Sequence, residues 1–101
     1  MLGPAALWYS TVMPNYSWYA DKNDRLMRER GLSFEQVLDH LENGGLLDTV
    51  DHPNQRRHPG QRMFIVRIGN YAYEVPFVME GDTFVLRTAY PSRRATRDYL
   101  R

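Results

Sequence analysis

Apolar side chains at Phe34, Val37, Leu38 and Leu41 recur at i, i+3, i+4 and i+7, the spacing that lines one face of an α-helix. Ser33 and Gln36 have the spacing of a capping box, so this helix should start there and end at Asn43-Gly44-Gly45. Residues 22–30 predict a shorter, mostly polar helix, N-capped by Asp21 and stopped by Gly31. Downstream the period falls to two: residues 63–68, 71–78 and 83–90 read as strands, with 46–50 and a short run at 16–20 as further candidates. Gly69-Asn70 and Glu80-Gly81 have the composition of two-residue hairpin loops. Pro91 stops the last strand and Ser92 caps a short basic helix over residues 93–100. The expected fold is α+β, with two N-terminal helices, an antiparallel meander sheet of three to five strands and a short C-terminal helix.

Two-residue loops also fix the register. Ile68 should face Tyr71 and Ile65 should face Glu74 in the first hairpin, while Met79 faces Asp82 and Glu74 faces Arg87 in the second. One face then carries Phe64, Val66, Ile68, Tyr71, Tyr73, Val75, Phe77, Phe84, Leu86, Thr88 and Tyr90, a core face for the helices to cover. The other carries Ile65, Arg67, Ala72, Glu74, Pro76, Val78, Thr83, Val85, Arg87 and Ala89. Pro76 has no N–H to give a ladder, so a bulge that shifts the register past it is the alternative.

Residues 1–15 follow no clean period and are broken by Gly3, Pro4 and Pro14, so they read as an extension with partial disorder expected ahead of a single domain at 16–101. Trp8, Tyr9, Tyr16, Trp18 and Tyr19 form an aromatic cluster that either caps the core or meets a partner. Residues 51–61, with two prolines, two histidines and Arg56-Arg57, read as an exposed loop. A length of 101 residues suits one core, and 43% hydrophobic with 25% charged residues is ordinary globular usage. The chain has no cysteine, which removes disulfides and thiolate chemistry and leans towards a cytoplasmic setting. Neither a signal peptide nor a membrane span is expected from the apolar runs.

The net charge of +1 conceals an asymmetry. Residues 1–51 hold four cations and eight acids, whereas residues 52–101 hold nine arginines and four acids. Twelve of the thirteen cations are arginine, whose planar fork suits phosphate, although an arginine bias also arises from genome composition. Glu74 opposite Arg87, with Arg67 on a diagonal, reads either as a phosphate-handling group or as a cross-strand ion pair on a solvated face. Arg93, Arg94 and Arg97 on the closing helix either clamp a nucleic-acid backbone or form a solvated basic face. His52 or His58 could supply an acid or base, or both are simply exposed. No His-Glu-x-x-His spacing, Gly-rich phosphate loop or Gly-x-Ser-x-Gly elbow occurs, so neither a metal nor a cofactor is expected.

The string Asp21-Lys22-Asn23-Asp24-Arg25-Leu26-Met27-Arg28-Glu29-Arg30-Gly31-Leu32-Ser33-Phe34-Glu35, together with Pro91-Ser92-Arg93-Arg94-Ala95-Thr96, resembles the BrnT family of bacterial toxins over roughly residues 16–100. The resemblance implies a RelE-like ribonuclease fold and a type II toxin that cuts RNA without metal, setting the ribose 2′-hydroxyl against the adjacent phosphate. A small DNA-binding antitoxin, ribbon-helix-helix-like, would be its partner. The positions carried over are Lys22, Arg87, Arg93 and Arg94. On this footing Arg87 and Arg94 are expected to contact the phosphate and Arg67 to support them, while Glu74 accepts a proton or orients Arg87. Lys22, Arg62, Arg93 and Arg97 are expected to bind RNA. The competing expectations are a non-catalytic nucleic-acid-binding module and an inactive relative that acts through protein association.

Overall fold

The computed structural model describes residues 15–101. The expected extension, Trp8 and Tyr9 included, lies outside the described residues apart from Asn15. The elements are β1 (Asn15–Ser17), α1 (Ala20–Arg30), α2 (Phe34–His40), a wide π-type turn (Leu41–Gly45), β2 (Leu46–Asp51), β3 (Arg62–Ile68), β4 (Tyr71–Glu80), β5 (Thr83–Leu86), β6 (Tyr90–Pro91) and α3 (Arg93–Leu100). The fold is α+β, with three helices and one six-stranded sheet ordered β1-β5-β4-β3-β2, and β6 pairs with β4 beyond the end of β5. The sheet therefore has six strands where three to five were expected. It is also not purely antiparallel, because β1 runs parallel to β5, with Tyr16 beside Phe84. Among the described residues no helix is long and apolar enough to cross a membrane.

The helix starts follow local chemistry, with one correction. Helix α1 begins at Ala20 behind an extended Tyr19 and has no side-chain cap; Asp21 lies in the first turn, where its charge meets the positive end of the helix dipole instead of capping it. Helix α2 has the expected capping box: Ser33 Oγ accepts from Gln36 N at 3.1 Å and Gln36 Oε1 accepts from Ser33 N at 2.8 Å. The two helices are joined through Asn23, which was not singled out from sequence. It is only 8% exposed; its side-chain oxygen accepts from Phe34 N at 2.8 Å and its amide donates to Glu35 Oε1 at 2.9 Å. After α2, Gly45 passes so close to the sheet that a Cβ would stand 2.6 Å from His40 O and 3.0 Å from Arg67 O.

The first hairpin has the expected register, Ile68 opposite Tyr71 and Ile65 opposite Glu74. The second does not. Its loop is Gly81-Asp82, with Glu80 opposite Thr83 and Phe77 opposite Leu86. In both hairpins glycine takes the first loop position with positive φ, 65° at Gly69 and 61° at Gly81, as a two-residue loop of this kind requires. The resulting slip of two residues keeps side chains on their faces but changes their partners, so Glu74 does not face Arg87. Past Pro76 the ladder breaks as well. Arg87 N donates to Pro76 O at 2.8 Å, then one extra residue bulges out and Tyr90 pairs with Glu74. The bulge exchanges the expected faces of two residues: Ala89 joins the core, whereas the Tyr90 hydroxyl lies 3.7 Å from Met63 Sδ.

Both faces of the sheet are covered. Leu26, Leu32, Phe34, Val37 and Leu41 pack on Phe64, Val66, Val75, Phe77, Leu86 and Ala89, with Tyr16 and Trp18 against this core. Trp18 lies 5.6 Å from Phe34 and Tyr16 5.3 Å from Phe84, ring centre to ring centre, so these two aromatics cap the core. On the opposite face, taken from sequence as solvated or functional, Ala95 and Leu100 of α3 cover Ile65 and Ala72. Helix α3 also completes the hydrogen bonding of β4: Ala72 N donates to Thr96 Oγ1 at 2.9 Å and Ser92 N donates to Ala72 O at 2.9 Å.

Candidate functional site

Four separate stretches of chain converge on one cavity of about 340 Å³. Helix α1 contributes Lys22, the loop between β2 and β3 contributes His52, His58 and Gln61, Pro76 of β4 lies at the wall, and the bulged segment contributes Arg87, Thr88 and Tyr90. Lys22 occupies the first turn of α1, where the helix dipole disfavours a cation by a few tenths of a kcal/mol to about 1 kcal/mol. Asn23 beside it is pinned to the start of α2, so the turn that carries Lys22 is fixed in place. Arg87 is placed by the slipped register, which sets its N–H on Pro76 O, two residues along β4 from Glu74.

The histidine loop is organised by its own polar side chains. His52 N donates to Gln61 O at 2.9 Å and closes the base of the loop. Gln55 Nε2 donates to His52 O at 2.8 Å and to Gln61 O at 2.9 Å, and Gln55 Oε1 accepts from Gly60 N at 3.0 Å. Asn54 Oδ1 accepts from Arg57 N, and His58 N donates to Asn54 O. The imidazoles of His52 and His58 come to lie 4.2 Å apart, centre to centre. Burial, and then the charge of His58, hold His52 below the usual histidine range, while the carboxylate of Glu74 pulls the other way. Tyr90 is pushed up to about 12, first by burial and then by Glu74, and keeps its proton at neutral pH.

The residues selected from sequence are divided among several places. Arg87 and Lys22 share the histidine cavity. Glu74 and Arg94 line a second cavity of about 230 Å³ between α3 and the sheet, together with Met63, Ile65 and Tyr99. Arg93 and Arg97 border a third, of about 330 Å³, with Tyr71 and Arg101. Arg67 is exposed and donates to Gly69 O at 3.0 Å, lining none of these cavities. Arg62 is paired with Asp51 at 3.1 Å, and Arg97 with Asp98 at 3.4 Å, both on the surface. The expected trio of Glu74, Arg87 and Arg67 does not assemble. Glu74 instead adjoins the first cavity from behind, through its pairing with Tyr90.

Sequence reasoning offered His52 or His58 only as an acid or base in an exposed loop, apart from the expected arginine site, and left Gln61, Thr88 and Tyr90 out. The usable signal was two histidines in a loop whose Asn54 and Gln55 can bond backbone groups, a sign of an ordered loop. The cavity can hold an anion between Lys22 and Arg87 and present it to an imidazole. Among the described residues no three His, Asp or Glu side chains are grouped so as to hold a metal ion. In comparison with known proteins, no family model, no curated protein and no solved structure matches this chain.

Proposed function

We propose that the chain is a metal-independent endoribonuclease, the RelE-like and BrnT-like toxin of a type II pair that inhibits translation in the cytoplasm and is held in check by a small DNA-binding antitoxin. The observation that carries the catalytic part of this reading is the meeting of Lys22, Arg87, His52 and His58 in one cavity. Two cations hold a phosphodiester and offset the charge that grows on it, and an imidazole moves the proton of the neighbouring 2′-hydroxyl. The toxin assignment and its antitoxin rest on the sequence resemblance. Arg93 and Arg97, one turn apart on α3, with Arg101 at its C-cap, favour a second reading in which the chain binds nucleic acid without cutting it.

The deciding experiment is cleavage of end-labelled RNA by purified protein in excess EDTA, comparing the native chain with Arg87→Ala and Arg94→Ala. The native chain cuts; Arg87→Ala loses about 10²–10³-fold in rate, as for loss of one transition-state donor, and Arg94→Ala loses much less. Induced expression then depresses bulk protein synthesis with the native chain and not with Arg87→Ala. Salt-dependent binding without cleavage supports the second reading. Equal cleavage by native and Arg87→Ala protein refutes this site.

A further inference from the structure

Two histidines in one cavity leave open which of them moves the proton, and hydrogen bonding within the loop decides it. His52 Nδ1 lies 3.0 Å from the backbone nitrogen of Asn54, whose N–H can only donate, so Nδ1 must be the unprotonated acceptor. The neutral ring therefore carries its proton on Nε2, and Nε2–H is the only ring group left to meet a ligand. In that tautomer His52 is a donor without a free lone pair and cannot act as a base. Protonating it would set Nδ1–H against the Asn54 N–H, and burial, with His58 whenever that ring carries a charge, acts in the same sense, in a cavity that Lys22 from α1 and Arg87 also line. Only Glu74 on β4 opposes them; Tyr90 remains neutral. The ring nitrogens of His58, by contrast, have no hydrogen-bond partner among the described residues, which leaves a lone pair for proton transfer.

Resting on the ribonuclease reading, we propose that His58 is the base that accepts the 2′-hydroxyl proton, and that His52, held by Asn54 in its Nε2–H tautomer, is a donor to a phosphate oxygen beside Lys22 and Arg87. The 2′-oxygen forms a bond to phosphorus as the P–O5′ bond breaks with its electron pair going to the 5′-oxygen, which takes a proton from water. The products are a 2′,3′-cyclic phosphate and a 5′-hydroxyl, and His58 returns its proton to solvent.

The test pairs nitrogen NMR of the native protein with cleavage by two variants. The His52 ring shows the Nε2–H tautomer at neutral pH, and a proton on Nδ1 instead overturns the assignment. His58→Gln loses about 10²–10⁴-fold in rate and the rise of rate with pH that reports the base. His52→Gln keeps an amide donor near the Nε2 position, retains that pH limb and stays within about tenfold of native rate, a smaller loss than removing a transition-state donor outright. The reverse pattern, or equal cleavage by both variants and the native chain, overturns the proposal while leaving the ribonuclease reading intact. A native chain that cuts no RNA overturns both.

Discussion

Replacing Asn23 with Ala removes one side chain and breaks two bonds that join α1 to α2. The bond from Phe34 N to the side-chain oxygen, 2.8 Å, is buried beneath a residue only 8% exposed, so its loss leaves a backbone N–H without a partner, at about 1–3 kcal/mol. The bond from the Asn23 amide ends on the exposed carboxylate of Glu35, where water replaces it, so the whole change stays at about 1–3 kcal/mol. At an ordinary urea dependence for a small domain this lowers the unfolding midpoint by roughly 1–2 M with no change in slope. Asn23→Asp keeps the acceptor for Phe34 N but brings a second negative charge to Glu35. Its loss should therefore depend on pH where that of Asn23→Ala depends on it less. Glu35 supplies the sign: the Asn23 bond, before other backbone contacts, holds its carboxyl below the usual value of 4.5. Stability from that bond is present above 4.5 and fades as pH falls below it, so the gap between native protein and Asn23→Ala narrows slightly in acid, while the loss of the Phe34 bond remains. A variant within about 0.5 kcal/mol of native at pH 7 would refute the view that Asn23 fixes the turn carrying Lys22.

Gly45→Ala should destabilise by roughly 1–3 kcal/mol or more, because the added methyl meets backbone oxygens of His40 and Arg67 that cannot swing aside; thermal unfolding reads it directly. Ser92→Ala removes the acceptor for Ala95 N, 3.0 Å away, and should cost about 1 kcal/mol, or about 4–8 °C in Tm, at the start of α3. For His52 the folded state disfavours the proton, so the unfolded chain binds more protons below its usual 6.5 and stability falls as pH is lowered through that range. Urea midpoints at pH 7.5 and 5.5 should differ less in His52→Gln than in the native chain, and an unchanged difference would refute the loop geometry. If RNA is held through phosphate contacts, raising salt weakens its binding steeply, and Arg87→Ala flattens that dependence.

Where an element depends on its neighbours along the chain, the amino-acid sequence by itself determined it. The apolar period of Phe34, Val37 and Leu41, the capping box of Ser33 and Gln36, and the Gly69-Asn70 loop are short-range instructions, and the structure follows each of them. So is the closing helix behind Ser92. The second hairpin was less legible because glycine served either loop position in the pattern, and only its positive φ at the first position settled the slip of two residues. Pro76 marked the break in the ladder, but the direction of the bulge depended on packing, which drew Ala89 into the core and set Tyr90 opposite Glu74.

The candidate site belongs almost wholly to tertiary structure. Lys22, His58 and Arg87 are far apart in sequence, share no period and sit on a helix, a loop and a bulge, so no local pattern connects them. They meet because Asn23 fixes α1 against α2, because Gln55 ties the histidine loop to its own base, and because the segment after β5 bulges past Pro76, which has no N–H to give it. Side-chain identity set the kinds of chemistry open to the chain. Which of those side chains stand together was decided by long-range packing, since a cavity is shaped by the surfaces that close around it and not by the spacing of residues along the backbone.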